Sequence, residues 1–69
     1  MKSVYLVRYS NGEEYEDYEE RVYHQCFTSE EKAYNKKKEL EQDKDFLEAV
    51  NAFEPNNVDI WIEEIELID

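Results

Sequence analysis

The sequence holds one cysteine, one glycine and one proline in 69 residues. A lone cysteine, Cys26, excludes an internal disulfide. A lone glycine, Gly12, excludes the glycine-rich loops that cradle phosphates. Basic residues are scarce: eight Lys and Arg face nineteen Asp and Glu, a formal net charge of −11. That balance repels phosphate and argues against direct binding of nucleic acid. No run of about 20 apolar residues is present, so no membrane-spanning helix is expected. "MKSVYLVRYS" has neither the long apolar region nor the cleavage site of a signal peptide, and a cytoplasmic location is expected.

The apolar residues that are present have the pattern of a folded chain. High charge alone marks disorder. Against it stand "VYLV", "VYHQCF" and "VDIWIEEIELI", three runs with strand composition. Residues 1–69 read as a single small acidic domain. A chain this short buries only about 60% of its unfolded surface, which leaves little excess stability. Without a disulfide, a partner chain is the remaining source of burial, and a homodimer is expected.

Val4 to Tyr9 alternates as a strand, with Val4 and Leu6 on one face and Tyr5, Val7 and Tyr9 on the other. Asn11–Gly12 predicts a type I′ hairpin turn, with the acidic stretch after it starting the returning strand. Tyr15 and Tyr18 are three apart, which predicts a bulge or a loose loop between them. Arg21 to Phe27 places Tyr23 and Phe27 on one face and Val22, His24 and Cys26 on the other. Thr28 with Glu31 fits a capping box, and Ser29 serves nearly as well. The helix that follows carries Ala33, Leu40, Leu47 and Val50 as an apolar stripe. One helix or two fit residues 29–53. A break near Gln42–Lys44 is favoured, with Asp45 capping a second helix that buries Phe46, Leu47, Val50 and Phe53. Pro55 is expected to end the helical region. Val58 to Ile68 forms the last strand, and a bulge at Glu63–Glu64 is expected to bring Ile65 and Leu67 into phase with Val58, Ile60 and Ile62. The order predicts an α+β fold. It is β-β-α-α-β, a three-stranded, mostly antiparallel sheet with one or two helices packed on one face.

Catalytic chemistry finds little support. His24 and Cys26 share a strand face, but no second Cys or His completes a structural zinc site. "DKDFLE" at 43–48 lacks the glycine and spacing of a calcium loop, and helix capping explains it. Lys36–Lys38 sit among glutamates and read as intrahelical partners. Trp61 reads as core. The chain is therefore expected to be no enzyme, with no metal and no cofactor.

The acids are the outstanding feature. Residues 13–20, "EEYEDYEE", carry −6; residues 39–53 carry −4; residues 54–69 carry −6. A solubility coat more often mixes both signs. A strand rises about 3.3 Å per residue, close to the roughly 3.4 Å phosphate spacing along one DNA strand. Glu63, Glu64 and Glu66 on a rigid strand would then approach the linear charge density of DNA. The expected partner surface comprises Glu13, Glu14, Glu16, Asp17, Glu19, Glu20, Glu63, Glu64 and Glu66, with Tyr15 and Tyr18 adding flat amphipathic contacts.

On "NGEEYEDYEE" and "EPNNVDIWIEEIELID", the chain resembles the small acidic host-takeover proteins of bacteriophages. It is similar to the DNA mimics that inhibit the histone-like nucleoid protein HU. The resemblance implies a homodimer in the host cytoplasm that occupies the DNA-binding surface of a basic host protein, HU-like or a repair or defence enzyme. The lysines at 36–38 depart from a uniformly acidic mimic and place the helix away from the binding face, or at a dimer contact. The alternative is an adaptor that binds through an apolar sheet edge or face, its acids serving solubility.

Overall fold

Alternating aliphatic and aromatic residues make the first strand the centre of the molecule. The computed structural model describes residues 2–68. Met1 and Asp69, the ends of the expected domain, lie outside the described residues. Strand β1 (Lys2–Ser10) is flanked by β2 (Glu20–Phe27) on one side and β3 (Ile60–Leu67) on the other. Both pairings are antiparallel. Two helices, α1 (Glu30–Glu41) and α2 (Lys44–Val50), connect β2 to β3. The fold is α+β, as the order of elements predicts.

The helices cover one face of the sheet. Val7, at the middle of β1, is 0% exposed and forms the core with Ala33 and Leu40 of α1 and Ile60 of β3. Tyr5, Tyr9, Tyr23, Phe27 and Ile62 pack around them from the same side of the sheet. Phe46 of α2 meets Tyr9 edge-on at 5.1 Å between ring centroids and Tyr23 at 6.2 Å. Thus Ala33, Leu40 and Leu47 of the expected stripe do face the sheet.

The helix boundaries follow local chemistry. Ser29 caps α1, its hydroxyl accepting from the Lys32 amide. Asp43, not Asp45, caps α2, accepting from the Phe46 amide at 3.1 Å. α2 then ends at Val50, well before Pro55, because Asn51 leaves helical angles and its side chain accepts from the Phe53 and Glu54 amides. Phe53 is consequently outside the helix and 95% exposed, against the expectation that it is buried. Pro55 opens a short 3₁₀ turn, and β3 starts at Ile60 instead of Val58.

One expected irregularity lies elsewhere. β3 pairs with β1 without interruption from Ile60 to Leu67, so Glu63–Glu64 holds no bulge. The irregularity is in β2, where Tyr23, His24 and Gln25 lie opposite Val7 alone. Two extra residues preserve the alternation, so Tyr23 and Phe27 still face the helices while Val22 and Cys26 pair with Arg8 and Leu6 on the opposite side. The unbulged β3 sends Ile65 and Leu67 to that opposite side as well, alongside Trp61. Trp61 is therefore half-buried on the uncovered face, not in the core.

Candidate acidic binding surface

The Asn-Gly dipeptide does not form a tight hairpin. Gly12 has positive φ (+77°) but Asn11 does not, so the type I′ condition fails. The acids after it form a long loop with a 3₁₀ turn at Tyr15–Asp17, and the return strand starts only at Glu20. Asn11 organises this loop from inside. Its Oδ1 accepts from the Glu13 and Glu19 amides at 3.1 Å each, and its Nδ2 donates to the Asp17 carbonyl at 2.7 Å. Its own amide donates to the Glu19 carbonyl at 2.9 Å. Backbone groups that a hairpin ladder would satisfy are thus bonded to one side chain.

Asn51 ties the loop to the segment after α2. Its Nδ2 donates to the Asn11 carbonyl and to Glu13 Oε1, both at 3.2 Å. Ser10 and Asp59 exchange a second pair of bonds, amide to carbonyl at 2.9 Å and amide to hydroxyl at 3.0 Å. The result is one acidic end of the sheet. An open cleft of about 460 Å³ there is lined by Glu13, Glu14, Asp17, Phe53 and Glu54, with Gly12 and Asn51 among its floor residues. An adjoining cleft adds Tyr18 and Asp59. Among the described residues of this end, the one ion pair is Arg21 to Glu19, at 3.8 Å.

The predicted surface therefore splits. Glu13, Glu14 and Asp17 line the clefts, and Glu16 and Glu19 belong to the same exposed loop. Tyr15 is held there in the left-handed region (φ +56°), strained for a non-glycine residue, with its side chain 91% exposed. Glu20 and Glu63 are engaged elsewhere. Both pair with Arg8, at 3.6 Å and 2.8 Å, which spans all three strands on the uncovered face. The Nε of Arg8 is buried without an acceptor. Glu64 and Glu66 point to the helix-covered side, and Glu64 accepts from Ser3 Oγ at 2.8 Å. Successive residues alternate faces, so Glu63, Glu64 and Glu66 form no single row of charge.

Sequence reasoning missed Phe53, Glu54 and Asp59 at this end. The Asn51–Glu54 turn is a local signal for part of it. The contact between Asn11 and Asn51, 40 residues apart, leaves no local trace.

Two tyrosines and one lysine have shifted titration. The Tyr18 phenol donates to Glu20 at 2.9 Å, and that bond, with burial and neighbouring charge, raises its pKa. Burial and then the charges of Glu64 and Glu30 raise Tyr5. Lys36 is raised by its bond to Glu39 at 3.1 Å. Lys37 pairs with Glu41, and Lys38 lies over the Tyr34 ring at 4.7 Å, so the lysine run is engaged within its own helix. Among the described residues no group of three metal-ligating side chains gathers, and no helix is long and apolar enough to cross a membrane. No protein-family model, curated protein or solved structure matches the chain.

Proposed function

We propose that the chain is a non-enzymatic DNA mimic whose acidic end binds the DNA-binding surface of a basic protein and displaces DNA. One observation carries this reading. Glu13, Glu14, Glu16, Asp17, Glu19, Glu54 and Asp59 converge on one end of the sheet, and among the described residues only Glu19 has a basic partner there. Carboxylates left without counter-charge raise the local negative potential, and a cationic partner relieves it. Tyr15, Tyr18 and Phe53 stand exposed at the same end and supply flat, amphipathic contact area. The histone-like nucleoid protein HU is the first partner to test. Added to a complex of HU with duplex DNA, the chain should release the DNA, and a ternary complex would refute the reading.

The uncovered sheet face favours a second reading, an adaptor that binds through apolar contact. Converting Glu13, Glu14 and Glu54 to Gln and Asp17 to Asn separates the two. It abolishes binding by a mimic and leaves binding by an adaptor nearly unchanged.

A further inference from the structure

The sheet is apolar on both sides, but only one side is covered. Val4 and Leu6 of β1, Val22 of β2, and Trp61, Ile65 and Leu67 of β3 share the face opposite the helices. Val22, Ile65 and Leu67 are 45%, 37% and 42% exposed. A strand with apolar residues on both faces is the pattern of a sheet covered on both. We infer that this face packs against the same face of a second copy, giving a helix–sheet–sheet–helix dimer. This inference is independent of the proposed basic partner.

Two observations select a second copy as the occupant. The first is area. A compact monomer of 8.4 kDa exposes about 4,600 Å² by surface scaling, whereas this chain exposes 5321 Å². The excess of about 700 Å² per copy corresponds to an interface of about 1,400 Å² in total, within the range of stable specific complexes. The molecule measures 42 × 26 × 14 Å, a slab two layers thick with one broad face open.

The second is charge. Two chains of −11 repel each other, so they can associate only through a surface spared the acidic excess. The open face is such a surface. Its charged residues are Lys2 and Arg8 against Glu20 and Glu63, and Arg8 already pairs with both glutamates. Aligned packing of two twisted sheets buries their alternate apolar residues in one shared core. A two-fold axis through the face brings one patch onto itself, so no second complementary surface is required.

Salt separates this contact from binding of a basic partner. Screening weakens the repulsion between two anionic copies, so the dimer tightens with salt, whereas attraction to a cationic partner fades. Sedimentation under reducing conditions should show a concentration-dependent dimer whose dissociation constant falls on raising salt. Ile65→Lys and Leu67→Lys, at positions exposed in the monomer, should each raise that constant about tenfold or more, because a lysine enters an apolar contact. Tyr34→Lys, equally exposed on α1, should not change it. Circular dichroism establishes that each variant folds. Cys26, exposed on this same face, gives an independent reading: its reaction with a thiol reagent should slow as the chain dimerises. A monomer at every concentration and salt would overturn the inference. So would a dimer indifferent to Ile65→Lys and Leu67→Lys, or a monomer that uses this face to hold a different protein.

Discussion

At the scale of single residues, two asparagines shape the acidic end more than any acid does. Asn11 and Asn51 are both buried, and between them they bond the loop after β1 to the segment after α2. Asn51→Ala leaves the Phe53 and Glu54 amides and the Asn11 carbonyl without this partner, and should cost about 2–3 kcal/mol in urea denaturation. Gly12 is needed beside it. Its φ is +77°, and an added Cβ would lie 2.8 Å from Asn51 Nδ2, so Gly12→Ala should be destabilising by the same measurement. Tyr18 gives a pH signature. Its raised pKa means that the folded state holds the phenol proton more tightly than the unfolded state. The resulting stability is complete below the ordinary phenol value near 10 and is lost as pH rises through the higher folded value. Tyrosinate absorbance should show a component titrating above pH 10 that Tyr18→Phe removes.

At the scale of elements, local chemistry and long-range pairing divide the work. The caps are local: Ser29→Ala and Asp43→Ala should each cost about 1 kcal/mol by thermal or urea unfolding, with Asp45→Ala costing less than Asp43→Ala. The order of elements along the chain and the favoured break near Gln42–Lys44 were legible in the sequence because composition and capping residues mark them within a few positions, whereas the β2-β1-β3 order of the sheet was not. The Val4–Tyr9 alternation likewise separated the two faces of β1, and the helices show that the face with Val7 is the core. The turn after Ser10 was not legible, since Asn-Gly has the same local preference whether or not a distant Asn51 captures the loop. The bulge was misplaced for a related reason. A break in the β3 alternation is consistent with a bulge only if both faces of the sheet cannot be apolar, and here they are. Of the expected surface, Glu13, Glu14, Glu16, Asp17 and Glu19 gather as one loop, while Arg8 draws Glu20 and Glu63 onto the open face.

At the scale of the whole molecule, charge opposes folding and, on the proposed reading, would serve binding. With −11 on a small slab, self-repulsion lowers stability, so the unfolding midpoint should rise when salt is added, as followed by circular dichroism. The same charge, concentrated at one end, should give the opposite salt response in binding. The most direct test is the dissociation constant of the complex with HU, measured at increasing salt for the wild type and for the Glu13→Gln, Glu14→Gln, Asp17→Asn, Glu54→Gln variant. A DNA mimic predicts wild-type affinity falling at least about tenfold between 50 and 200 mM salt, with a shallower slope and weaker binding for the variant. Equal affinity and equal slope for the two chains, or no complex at low salt, would contradict it.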